Sequence, residues 1–552
     1  MEKIKLTFPD APPLEIPRGT SLYEVTKDIP VEAEFRILAA KVDNHLRSLA
    51  YVPQEDAQVE FLTYASKMGK EVYWRTANFI LYMAVNELYT NTRLVIGHSL
   101  GNGFYFDFFL DVPVNQEVLN TVKNKMVEII DRDTPFLKQI VSREEAIAYF
   151  RDRAMSDKVR FLEYADMNEV GIYQNGRFSD LALYPLAYST GAITKFNLTS
   201  YSPGFIMNFP DQENFQIHAD VGKNTKLFNI YHESKVWGQI LSVNNVGRLN
   251  QIIENNGISD LIKVAESLHE KKIANIADAI EKERQNVKLV LIAGPSAAGK
   301  TTFSKRLAIH LRVNGIRPIT ISVDNYFVDR ILCPKDEKGE YDFEALEALD
   351  LMFFNQTLYD LLDGKEVAIP KFDFETGKRV PNHHFLRLED DQILIVEGIH
   401  CLNERLSEAI RAKNKFKIFV SALTQLSIDD NNRISTTDTR ILRRMIRDKS
   451  YRGYGPADTI KRFNSVIRGE RMHIFPLQES SDFVFNSALV YELAVLKDYA
   501  APLLRAVSEL DEAFPEARRL LDFLELFRAV PANEIPPTSI LREYIGGSSF
   551  KY

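Results

Sequence analysis

The stretch VKLVLIAGPSAAGKTTFSKRL, Val287 to Leu307, decides the fold. Its first third is an apolar run of strand length, and its last third continues as FSKRLAIHLRV with helical spacing. Between them GPSAAGKTT, Gly294 to Thr302, satisfies GxxxxGK(S/T) in full, in the strand-then-helix setting that this motif requires. Glycines let successive backbone N–H groups curl around phosphate oxygens, and the helix N-terminus adds the positive end of its dipole. The loop residues Gly294, Pro295, Ser296, Ala297, Ala298, Gly299, Lys300, Thr301 and Thr302 are therefore the expected nucleotide cradle. Lys300 is placed to neutralise the β- and γ-phosphates, and Thr301 offers a hydroxyl to Mg²⁺. The alternative, a glycine-rich turn with a chance lysine, does not account for the flanking strand and helix.

Downstream, RPITISVD, QILIVEG, FKIFVSA and SDFVFNSA repeat the strand pattern between helical segments, which argues for a doubly wound parallel sheet over residues 287–490. Ligands of such sheets bind at the carboxyl ends of the strands. Asp324 and Glu397 both stand there. Asp324 suits a base for an attacking hydroxyl and Glu397 suits a Mg²⁺ carboxylate; a cap or turn residue is the competing reading for each alone, and their joint placement weakens it. DTRILRRMIRDKSYRG sets Arg440, Arg443, Arg444 and Arg447 on one helix at three- and four-residue spacing. Such a stripe is either a solvated face or a lid that closes over phosphates.

The rest of the chain bounds these readings. At 552 residues it is too long for one core, and its 45% hydrophobic and 26% charged composition is that of a soluble globular protein. No run approaches the ~18 apolar residues of a membrane helix. Two cysteines, Cys333 and Cys401, lack metal-type spacing and fit a reducing cytoplasm. With 68 Lys and Arg against 76 Asp and Glu, the net charge of -8 offers no global attraction for nucleic acid, so a polyanion site must be local. Five segments are expected: a small α+β module at 1–65, a mixed region at 66–255, an amphipathic connecting helix at 256–286, the parallel-sheet domain at 287–490, and a helical extension at 491–552 to which the sequence assigns no chemistry. Homo-oligomerisation is left open.

Taken in order, GPSAAGKTT, SVDNYF, IPKFDFETGKR, LIVEGIH and DTRILRRMIRD resemble the uridine kinase and phosphoribulokinase group of P-loop kinases over about 200 residues. The resemblance implies transfer of the ATP γ-phosphoryl group to a primary hydroxyl, such as the 5′-hydroxyl of a nucleoside, with Asp324 as base and Arg440 and Arg443 among the lid contacts. It also implies substrate contacts at Phe327, Glu344 and Arg379, with Phe372 and Asp373 in the same substrate-side motif. The base-reading histidine that such kinases carry after Phe372-Asp373-Phe374 is replaced by Gly377. A site that loses a hydrogen-bonding partner for the base relaxes or redirects its choice of base, so uridine preference is not implied. A kinase of another small alcohol, such as a sugar phosphate, and an ATP-binding regulatory or RNA-associated protein are the competing readings.

The first 65 residues resemble the TGS module, a β-grasp fold. Residues 66–255 resemble the second domain of threonyl-tRNA synthetases, through GHSLGNGFYFDF, Gly97 to Phe108. In that family an HxxxH pair and a Cys-x-x-x-His pair form a cluster with metal-ligand character. The matching positions here are Arg75, Phe79, Ala182 and Leu186, so the resemblance implies a retained framework without zinc or editing chemistry.

Overall fold

In the computed structural model the described residues are 2–552 apart from 28, 30–34, 90–91, 213, 218–224 and 337–338, and the chain divides into two units. Unit 1 comprises Met1–Lys223, Asn245–Gln251 and Ser427–Arg433; unit 2 comprises Asn224–Asn244, Ile252–Leu426 and Ile434–Tyr552.

Unit 1 begins with a five-stranded sheet ordered Leu14–Pro17, Lys3–Thr7, Ala57–Leu62, Ala39–Val42, His45–Arg47. Its parallel central pair, Lys3–Thr7 with Ala57–Leu62, packs with the helix Leu22–Thr26. That helix starts where Ser21 and Glu24 form a reciprocal capping box, each side chain satisfying the other residue's N–H. The long helix Lys67–Leu88 follows, with a four-stranded antiparallel sheet (Asn197–Tyr201, Gly204–Asn208, Gly103–Phe109, Arg93–Leu100) and a three-stranded one (Phe178–Leu181, Glu169–Asn175, Leu137–Ser142).

GHSLGNGFYFDF forms the hairpin between Arg93–Leu100 and Gly103–Phe109, with Gly101 in the left-handed region at φ 58°. A Cβ on Gly103 would stand 2.4 Å from the Met207 carbonyl oxygen, so only glycine fits that strand pairing. Phe104, Phe106 and Phe108 enter the core. Residues 427–433, which the sequence places within the parallel-sheet domain, fold with unit 1. Lys158 is buried between Asp180 (2.7 Å) and Asp429 (2.9 Å), and Arg93 grips Asp430 with two hydrogen bonds of 2.5 and 2.7 Å.

Unit 2 contains all five expected strands as one parallel sheet, ordered Arg317–Ser322, Gln392–Glu397, Leu289–Ala293, Lys415–Ser421, Phe483–Asn486. The strand Leu289–Ala293, which leads into the glycine-rich loop, is central and completely buried. The strands that follow it in sequence lie first on one side of it and then on the other, and the switch point of such a sheet is where a crevice opens. The helix Ile258–Lys282 precedes the sheet, and the helices Thr436–Tyr451 and Pro456–His473 follow its fourth strand. IPKFDFETGKR, read from sequence only as a motif, is part of an antiparallel hairpin, Glu366–Asp373 with Lys378–Arg387.

Candidate active site

The glycine-rich loop curls as its sequence requires. Gly299 lies in the left-handed region at φ 81°, and Ala297 joins it at φ 58°, a conformation that costs a residue with a Cβ and marks a constrained loop. At Gly294 a Cβ would sit 2.1 Å from the Val420 oxygen, so the loop can leave the sheet here only on glycine. The helix Lys300–Val313 then starts directly from the loop.

Lys300 and Asp324 line one cleft with Ser296 and Ala297. Burial pulls the Lys300 ammonium below its ordinary range, while Glu397 and Asp324 nearby act in the opposite sense. Thr301 donates its hydroxyl to Glu397 at 3.4 Å. Burial first, and then the charge of Asp324, push the Glu397 carboxyl up to about 7. A carboxylate held under such strain beside a hydroxyl suits a hard cation that takes oxygen ligands and completes its shell with phosphates and water. Thr301 and Glu397 thus fit Mg²⁺.

The acceptor side of the cleft is aromatic: Phe327, Phe343, Phe372 and Phe374 line it, with Tyr454. Glu344 also lines it, and burial raises its carboxyl to about 7. Gly469 makes room for Glu344, since a Cβ there would meet the Glu344 Cβ at 2.3 Å. Two expected substrate contacts lie elsewhere. Asp373 caps the hairpin turn, accepting from the N–H groups of Glu375 (2.9 Å) and Thr376 (3.1 Å). Arg379 pairs with Asp350 at 2.9 Å and lies over the Phe353 ring. A short polar residue in a turn is drawn to its own backbone, which no motif match reveals.

The arginine stripe is neither solvated nor uniform. Arg440 and Arg443 are fully buried behind the loop rather than in the cleft, which differs from their expected lid role. Arg440 donates to the Ser296 carbonyl (2.9 Å) and pairs with Glu470, and Glu470 accepts the Ser296 N–H at 2.7 Å. Arg443 pairs with Glu492 and donates to the Ala297 carbonyl at 3.3 Å and the Ser487 hydroxyl at 3.2 Å. Both brace the loop from outside. Arg444 and Arg447, one step round the helix, reach the cleft, Arg444 donating to the Ser296 hydroxyl at 2.9 Å. A four-residue stripe on a helix spans more than one environment, and spacing alone does not say which member faces the ligand.

Sequence reading also missed Arg330, Arg452 and Arg462 in the cleft, Glu470 behind the loop, and the 540–552 segment against it. The arginines had a legible signal, a local excess of arginine downstream of the P-loop. Glu470 and Glu543 had none.

In unit 1 the four positions that correspond to a metal cluster are packed. Phe79 meets Phe136 and Phe178 edge-on at 5.2 and 4.9 Å, Leu186 is buried, and Arg75 pairs with Glu71 at 2.9 Å while lying over the Tyr184 ring.

Curated threonine–tRNA ligases match the N-terminal region: that of Symbiobacterium thermophilum is 34% identical over 203 residues, 37% of this chain and 31% of the ligase, and that of Pelagibacter ubique is 34% identical over 202 residues, 36% of this chain and 32% of the ligase. The chain therefore spans less than a third of the length of these relatives. Among solved structures, a possible uridine kinase from Bacillus stearothermophilus is 16% identical, with a TM-score of 0.28 over 39% of this chain and 100% of its own. A D-glycerate 3-kinase from Cryptococcus neoformans is 12% identical, with a TM-score of 0.21 over 48% of this chain and 89% of its own. Residues 289–493 match the model of the Phosphoribulokinase / Uridine kinase family, and the region before them is similar to threonine–tRNA ligases.

Proposed function

We propose that the chain is an ATP-dependent kinase that transfers the γ-phosphoryl group to a primary alcohol, the 5′-hydroxyl of a nucleoside. The carrying observation is one cleft that holds Lys300 at the phosphate loop, Asp324 as the nearby carboxylate, and an aromatic acceptor wall. Asp324 accepts the proton of the attacking hydroxyl as its oxygen bonds to phosphorus and the bond to the bridging oxygen breaks, releasing ADP. Lys300, Arg444 and Arg447 stabilise the charge that gathers on the transferring oxygens. Mg²⁺, when held by Thr301 and Glu397, supplies further neutralisation of the phosphates. Phe327 and Phe372 offer faces for a planar base.

A phosphorylated or carboxylated alcohol is the second reading, and the arginines favour it. Arg330, Arg452 and Arg462 line the acceptor side beyond the arginines of the phosphate end. Burial first, and then the neighbouring Arg447 and Arg444, pull Arg452 down to about 10, against the opposing charge of Asp448 at 3.5 Å. An anionic acceptor relieves that crowding. The cytoplasmic setting rests on Cys333 and Cys401, both buried and free.

The test is transfer of labelled phosphate from ATP–Mg²⁺ to a panel of nucleosides and sugar phosphates. Phosphorylation of a nucleoside supports the first reading, phosphorylation of sugar phosphates alone supports the second, and no product from any alcohol sinks both. An ATP-binding switch without transfer would leave Asp324→Asn indistinguishable from the unaltered chain.

A further inference from the structure

The helix N-terminus at Thr302 is occupied from within the chain. Glu543 accepts the Thr302 hydroxyl at 2.7 Å and the Thr302 backbone N–H at 3.3 Å. The Tyr552 and Thr302 hydroxyls lie 2.9 Å apart. These are the groups of a P-loop that cradle nucleotide phosphates, and a carboxylate at a helix N-terminus satisfies them by the same charge and hydrogen-bond logic. Glu543 also stands 3.6 Å from Arg447, a residue of the cleft.

The segment that carries Glu543 is anchored. Tyr544 donates its hydroxyl to the Ala297 carbonyl at 3.0 Å, and the Ile540 side chain lies 2.7 Å from where a Cβ on Gly299 would be. The chain then turns at Gly546 and Gly547, both at positive φ, before Tyr552 returns to the loop. Two consecutive glycines in the left-handed region give this end a pivot.

We propose that residues 540–552 form an autoinhibitory strap, in which the Glu543 carboxylate holds the place of a nucleotide phosphate at Thr302 and must be displaced when the nucleotide binds. Glu543 and a phosphate compete for the same N–H and hydroxyl and repel each other, so the strap raises the nucleotide concentration needed for occupancy. Its release frees Arg447 from Glu543 and leaves that guanidinium to the phosphates. The inference rests on the loop binding nucleotide, and does not depend on which alcohol is phosphorylated.

Calorimetric titration of the full chain with adenosine, AMP, ADP and ATP, without acceptor, tests it. Glu543→Gln keeps the shape and removes the charge. AMP, ADP and ATP are expected to bind on the order of tenfold more tightly to it, with adenosine unchanged. Tyr552→Phe keeps the carboxylate and is expected to tighten the same ligands less. Amide exchange over 540–552 is expected to rise when ADP binds the unaltered chain. The proposal is overturned if Glu543→Gln binds AMP no better or worse, if adenosine gains equally, if ADP protects the strap, or if no nucleotide binds either form. Nucleotide behaviour as expected with no alcohol phosphorylated would leave the strap standing and remove the kinase reading.

Discussion

Two regions of this chain fill their interiors in opposite ways. In unit 1 the positions Arg75, Phe79, Ala182 and Leu186 are filled by packing: aromatic rings meet edge-on and the one charge is paired along its own helix. In unit 2 the polar groups converge on space. Lys300, Asp324, Arg444 and Arg447 face one cleft, while Glu470 and Glu492 hold the loop from behind. A framework survives on glycines and apolar side chains alone. The cleft of unit 2 instead keeps ionisable groups out of water, and the cost is visible in Glu397, Glu344 and Arg452, each moved from its ordinary range chiefly by burial.

The contrast breaks most sharply at Asp324. Asp324→Asn is expected to lower kcat by about 10² to 10⁴ with nucleotide affinity retained, as read by paired kinetics and calorimetry; equal turnover would remove the base. At Arg443 the loop's outer brace is tested: Arg443→Ala leaves Glu492 buried without its partner and is expected to destabilise unit 2 by roughly 3–5 kcal/mol in urea unfolding. Arg75→Met, whose ion pair is partly exposed, should change stability by no more than about 1 kcal/mol. Comparable losses at the two arginines would erase the distinction between the regions.

The Glu397 carboxyl sharpens it through pH. Its pKa in the folded chain, about 7, lies above the ordinary 4.5, so the folded state holds that proton more tightly than the unfolded one. Its contribution to stability is greatest below about 4.5, is lost as pH rises to about 7, and is flat beyond. Glu397→Gln should flatten that slope in thermal melts and raise the Mg²⁺ concentration that activity requires. Gly469→Ala places a Cβ 2.3 Å from the Glu344 Cβ, an overlap no rotamer change relieves, so it is expected to move the Glu344 backbone and raise KM for the acceptor, read by steady-state kinetics.

Much of unit 2 was legible because its signals are local. Five apolar runs became five parallel strands, and the P-loop pattern forced a loop that only glycine can enter at Gly294. Asp324 and Glu397 stand at the ends of their strands, where the sequence places them. The substrate side was less legible. Asp373 and Arg379 sit in a matching motif, yet one is captured by a turn and the other by Asp350, contacts that involve residues outside the motif.

By itself, then, the sequence determined the parallel sheet and the glycine-rich loop, because each depends on residue types at short spacing. The tertiary structure alone decided which arginines of one helix face the cleft and which brace the loop, because rotation about the helix sets burial and the partners Glu470 and Glu492 come from distant segments. It alone also brought Glu543 to Thr302, across 241 positions of chain, where charge and hydrogen bonding meet only after folding.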